Sequence, residues 1–192
     1  MKRLWLYLGG AVLVAGAAVA IVVAADSSKS QDENISSQSN TTPGGQQPQS
    51  VKRACNVFTL ADAKKLLGDN AKGGQTSDSS SSIDLAVSAC TYTADAGSNA
   101  PVSSGKSATL LVRAPKTEQG ETSNQDQFGP LKPTSVTDVS GYGDKAYWDP
   151  QYGQLNILKN DDWYILSYGP ITPTSRTLQQ TEQLANILIN KM

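Results

Sequence analysis

Residues 53–192 are predicted to fold as an α+β domain, an antiparallel sheet of about five strands with the N- and C-terminal helices packed on one face. Three observations predict it. Apolar residues recur at helical spacing at both ends: Leu60, Ala63, Leu66 and Leu67 at one, and Leu178, Thr181, Leu184, Ala185, Leu188 and Met192 at the other. Between them lie runs that alternate apolar with polar residues or are rich in β-branched and aromatic side chains. These runs succeed one another through short polar turns, which joins neighbours antiparallel.

Thr59-Leu60-Ala61-Asp62 is a capping box with Asp62 in the place usually held by Glu or Gln, and Gly68 supplies the C-terminal cap of a first helix of about nine residues. Residues 69–82 (DNAKGGQTSDSSSS) read as a low-complexity loop. A strand starts at Ile83, where Leu85, Val87 and Ala89 alternate with Asp84, Ala86 and Ser88, and Cys90-Thr91-Tyr92-Thr93 extends it. Ala108 to Arg113 is a second strand, placed to pair antiparallel with the first. Residues 115–135 carry no dominant period. Within them Gln125 to Phe128 reads as a helical turn, broken by Gly129-Pro130 and Pro133. Val136 and Val139 lead into Gly141-Tyr142-Gly143 and a strand at Lys145 to Trp148. Asp149 to Gly153 is a turn, Leu155 to Lys159 a strand, Asn160-Asp161-Asp162 a tight turn, and Trp163 to Tyr168 its hairpin partner. Thr172-Pro173-Thr174 reads as the start of the closing helix, with a hydroxyl cap and an early proline.

Upstream of this domain, Met1-Lys2-Arg3 precedes an uncharged run of 22 residues from Leu4 to Ala25. As a helix it would be roughly 33 Å long, enough to cross a bilayer core, and the preceding cations orient the downstream chain outward. Residues 1–25 are thus expected to be a transmembrane anchor, with cleavage near Ala25 as the alternative, since Val23-Ala24-Ala25 are small or apolar residues before Asp26. The expected location is a single-pass cell membrane protein with its C-terminal domain extracytoplasmic, or a secreted one if cleaved. Residues 26–52 are Ser/Gln/Asn/Thr/Pro/Gly-rich and hold too little apolar surface to fold, so they read as a disordered linker with a mean reach of roughly 30 Å.

The formal net charge is −1 with no basic patch, which argues against a nucleic-acid partner. There is no histidine, which excludes Ser-His-Asp and Cys-His catalysis and His-ligated zinc. Two cysteines, Cys55 and Cys90, in an oxidising compartment read most simply as a disulfide, since a redox pair favours Cys-x-x-Cys and a metal site needs more ligands.

Ala54-Cys55-Asn56-Val57-Phe58-Thr59-Leu60-Ala61-Asp62, Leu66-Leu67-Gly68 and Ala89-Cys90-Thr91-Tyr92 carry a resemblance that continues through Val139-Ser140-Gly141-Tyr142-Gly143-Asp144-Lys145-Ala146-Tyr147 and the closing Glu182-Gln183-Leu184-Ala185. Over residues 54–192 the chain resembles a bacterial secreted, often lipoprotein-type, extracytoplasmic domain family of unknown function. The resemblance implies a Cys55–Cys90 disulfide and a surface tether, and it carries over no catalytic residue. The chain departs from the lipoprotein members in lacking a lipid-acceptor cysteine, which leaves the apolar run as its tether.

Seven of the chain's twelve aromatics (Tyr142, Tyr147, Trp148, Tyr152, Trp163, Tyr164 and Tyr168) fall within 27 residues. They read as strand core and rim, or as a row left bare if helices cover only one face. Trp148 and Tyr152 flank a proline turn and are expected to be the exposed ones. With Tyr142 they are the candidate binding residues. Gly141-Tyr142-Gly143-Asp144 lacks the spacing of a phosphate loop and reads as a turn, and Asn160-Asp161-Asp162 lacks calcium-loop spacing. In a histidine-free chain, paired carboxylates would be the enzymatic route, from among Asp144, Asp149, Asp161, Asp162 and Glu182, but no spacing marks a pair. No cofactor, metal or catalytic residue is therefore assigned. The expected function is a non-enzymatic, membrane-tethered binding module of the cell envelope, its partner an envelope protein or wall polysaccharide. A carboxylate-dependent wall hydrolase and a structural accessory subunit of a membrane assembly are the alternatives.

Overall fold

The computed structural model of the chain describes residues 51–78, 82–95 and 105–192. The expected anchor (1–25) with its membrane partnership, and almost all of the expected linker (26–50), lie outside the described residues. Among those residues no helix is long and apolar enough to cross a membrane.

The α+β class and the antiparallel sheet are present, with seven strands where about five were expected. The elements are α1 (Ala54–Val57), α2 (Leu60–Leu67), β1 (Lys72–Asp78), β2 (Leu85–Ala94), β3 (Lys106–Pro115), α3 (Glu118–Phe128), β4 (Thr137–Asp138), β5 (Lys145–Asp149), β6 (Gln154–Lys159), β7 (Asp162–Pro170) and α4 (Leu178–Leu188). The sheet order is β1-β2-β3-β7-β6-β5-β4, and every neighbouring pair is antiparallel. Two meanders, one of three strands and one of four, therefore meet along the β3–β7 seam, where Leu110 faces Leu166 and Leu111 faces Ile165.

Local chemistry accounts for the helix starts. Thr59 and Asp62 form the expected capping box of α2: the Asp62 carboxylate accepts from the Thr59 backbone N–H, and Thr59 Oγ1 accepts from the Asp62 N–H. The closing helix is a correction. Pro173–Ser175 forms only a 3₁₀ turn, and α4 begins at Leu178 behind a second capping box, Thr177 with Gln180. Thr177 with Gln180 satisfies two otherwise unpaired N–H groups, whereas Thr172 makes no side-chain cap, which places the start five residues later. In the β6–β7 hairpin, Asn160 and Asp161 both adopt positive φ, at 49° and 65°, the backbone of a type I′ turn that Asn and Asp tolerate.

The two sheet faces differ. Tyr92, Leu110, Val112, Leu155, Ile157, Tyr164 and Leu166 share one apolar cluster with Ala54, Phe58 and Leu67 of the N-terminal helices and with Leu184 and Leu188 of α4. The opposite face carries a smaller cluster, in which Phe128 at the end of α3 packs on Tyr147, Leu158 and Trp163. A helix on that second face was not expected from residues 115–135. It approaches closely because residue 120 is glycine: a Cβ there would stand 2.2 Å from the Asp84 carbonyl oxygen.

Candidate functional site

Cys55 on α1 and Cys90 on β2 are joined in a disulfide that closes a separation of 35 residues. Beside it Cys90, Phe58 and Tyr92 are all buried, and the Phe58 and Tyr92 rings meet edge-on with centroids 4.8 Å apart.

The candidate aromatic residues do not form one surface. Trp148 is a correction: only 7% exposed, it belongs to the main core, because its even position in β5 aims it at the helix-covered face. Tyr152 in the following turn is 52% exposed. Tyr142 is half-buried against the core, and its hydroxyl donates to Asn186 Oδ1 at 3.2 Å. Burial, with the charge of Glu182, raises its pKa above the ordinary phenol value. An aromatic row bared on the second face is likewise absent among the described residues. Trp163 is covered by Phe128 and its Nε1–H donates to Asn156 Oδ1 at 3.0 Å.

What the second face leaves open is mainly aliphatic. Over β2, β3 and β7, beyond the reach of α3, side chains of Leu85, Val87, Leu111, Arg113, Trp163 and Ile165, with Ser82, line a groove of about 530 Å³. The register explains it. Val87 stands opposite Arg113 and Arg113 opposite Trp163; in the next row Ala89, Leu111 and Ile165 are aligned. One row further, Thr91, Thr109 and Ser167 make a polar margin, with the two threonine hydroxyls 3.0 Å apart.

Among the described residues Arg113 is the one charged residue lining the groove. Its Nη2 donates to Gln127 Oε1 at 2.7 Å and to Ser123 Oγ at 3.2 Å, while its guanidinium carbon lies 5.5 Å from the Trp163 ring centroid. Its Nε is buried with no acceptor. Burial lowers the Arg113 pKa, with no countercharge acting the other way. The support comes from α3: Ser123 and Gln127 sit one turn apart, and the fully buried Asn124 donates to the Arg113 and Asp161 carbonyls at 2.9 and 2.7 Å. Sequence reasoning missed this arrangement because α3 lacks an apolar stripe. The available signal was Arg113 directly after the apolar run Leu110-Leu111-Val112.

A second, polar pocket of about 380 Å³ lies by Lys52, Glu121, Asn160 and Asp162. Here Lys52 Nζ pairs with Asp162 Oδ2 at 3.1 Å and donates to the Tyr164 hydroxyl at 3.0 Å, and Tyr164 donates to Asp162 Oδ2 at 2.8 Å. Burial first, and then the Asp162 charge, push the Tyr164 pKa far up, so the phenol stays protonated. Three of the other candidate acids are engaged locally. Asp144 accepts from the Asn160 N–H, Asp149 from the Gln151 and Tyr152 N–H groups, and Asp161 from Gln125. Among the described residues no group of three or more Cys, Asp and Glu is placed to hold a metal ion. No family model, curated protein or solved structure was found to match the chain.

Proposed function

We propose that this chain is a membrane-tethered, non-enzymatic binding module of the bacterial cell envelope. In this reading residues 4–25 hold it at the membrane, residues 26–52 give it reach, and the open groove on the second sheet face receives the ligand. The resemblance of residues 54–192 to secreted, lipoprotein-type domains would imply the same location. The observation that carries the reading is the asymmetry of the sheet. One face is sealed by α1, α2 and α4, whereas α3 covers only part of the other and leaves Leu85, Val87, Leu111 and Ile165 as a partly exposed apolar floor. Floors of this kind with one charged group at the edge are the usual form of a small-molecule site. The groove replaces the aromatic turn as the candidate, and its aliphatic lining favours an apolar ligand over a sugar ring, which would need a bare aromatic face to stack on.

Photocrosslinking tests the proposal. A benzoylphenylalanine in place of Leu111, in the full chain in its own membrane, is expected to capture a discrete envelope component. The same group in place of Leu131, which is 60% exposed and does not line the groove, is expected not to capture it. Identical capture at both positions, or none at either, contradicts the reading.

A further inference from the structure

We propose that the groove takes a small amphipathic carboxylate, its apolar chain laid over Val87, Leu111 and Ile165 and its carboxylate on the guanidinium of Arg113. This rests on the reading of the groove as the binding site and names the class of ligand it takes.

Arg113 is a half-buried cation with no carboxylate partner among the described residues. Its Nη2 is held by the neutral oxygens of Gln127 and Ser123, its Nε is buried without an acceptor, and its Nη1 makes no hydrogen bond among the described residues. Residues 79–81 and 96–104, outside the described ones, contain no Asp or Glu. A guanidinium taken partly out of water and left without a countercharge gains from an incoming carboxylate, the group its planar fork matches best.

The floor beside it selects the rest of the ligand. The two central strands beneath the groove have their backbones paired on both sides, β3 between β2 and β7 and β7 between β3 and β6, whereas β1 reaches along β2 only as far as Ser88. Around Leu111, Arg113 and Ile165 the floor therefore offers side chains only, and a peptide laid there would find no backbone partners. An acyl chain needs none. The polar row of Thr91, Thr109 and Ser167 begins two residues beyond Arg113's neighbour Leu111 along β3, roughly 7 Å on, so the apolar floor is short. A short chain fits it, and a long one would overrun onto hydroxyls.

The test is a titration of the full-length chain in phospholipid nanodiscs with octanoate and with its neutral isostere octanamide. The readout is the methyl resonances of Val87, Leu111 and Ile165. Octanoate is expected to shift all three, with an affinity at least about tenfold above that of octanamide, the scale of one charge-assisted contact. Arg113→Gln should reduce octanoate to the level of octanamide, and Arg113→Lys, which keeps the charge, should retain part of the preference. Equal binding of acid and amide, unmoved by Arg113→Gln, overturns the carboxylate assignment while leaving the groove as a binding site. No shift with either probe overturns both.

Discussion

Arg113 lies against Trp163 across the β3–β7 seam, its guanidinium 5.5 Å from the ring centroid, and α3 holds it there through Gln127 and Ser123. This contact marks where the covered part of the second sheet face ends and the open groove begins. Trp163 is sealed by Phe128, and Val87, Leu111 and Ile165 are left accessible. The helix that makes the boundary is polar, so its attachment is tested by residues other than a hydrophobic stripe.

Gly120→Ala is expected to destabilise the fold by about 1–3 kcal/mol, because the added methyl would meet the Asp84 carbonyl oxygen at 2.2 Å and force α3 off the sheet. Chemical denaturation checks the magnitude. Trp163 fluorescence should move to the red as Phe128 withdraws.

Removing the disulfide with Cys55→Ser and Cys90→Ser together is expected to cost roughly 3–4 kcal/mol, the loop-closure value for a separation of 35 residues. Addition of a reductant to the native chain should produce the same loss, and addition to the double variant should produce none. Thermal melts of the four samples decide it.

Asp62 links pH to stability. Burial alone would raise its pKa, but hydrogen bonds from Lys191 and from the side chain and backbone of Thr59, with the charge of Lys191, outweigh burial and lower it to about 2. Folding depresses this pKa, so the contribution is complete above the unfolded value of 3.8 and is lost as pH falls through about 2. With the carboxylate side chain only 3% exposed, the contribution is roughly 2 kcal/mol at neutral pH. Asp62→Asn should be less stable than the native chain by about that amount at pH 7, and the gap should close between pH ~4 and ~2. A gap that persists unchanged at pH 2 contradicts the assignment.

Trp148 and Tyr152 should separate cleanly. Trp148→Ala opens the main core and is expected to cost about 3–5 kcal/mol, whereas Tyr152→Ala, at an exposed turn, should stay within about 0.5 kcal/mol. Urea unfolding of the two single variants measures both.

Parts of this molecule are legible from sequence because local chemistry alone specifies them. The Thr59–Asp62 capping box, the Asn160–Asp161 turn and the alternation through β2 each need no information from elsewhere in the chain. β1 is different. KGGQTSD offers no apolar alternation, and it is a strand because β2 presents a free edge to it, with a register shift between Gly73 and Thr76. Gly74 is needed there, since a Cβ would stand 2.4 Å from the Tyr92 ring. The helix α3 was illegible for a related reason: Gly120, Asn124 and Gln127 attach it by close approach and hydrogen bonding rather than by burying an apolar stripe. The groove was illegible because it is defined by what α3 fails to cover. Trp148 was misplaced because proximity to a proline turn says nothing about which face of the sheet a residue takes, and the two-residue period does.

The most direct measurement is solvent relaxation of methyl resonances by a soluble paramagnetic agent, in the full chain. Strong relaxation is expected for the Val87, Leu111 and Ile165 methyls, and none for Leu110 and Leu166, their fully buried sheet neighbours. Protection of Val87, Leu111 and Ile165 to the level of Leu110 and Leu166 would mean that the second face is covered, and would contradict the claim of an open groove.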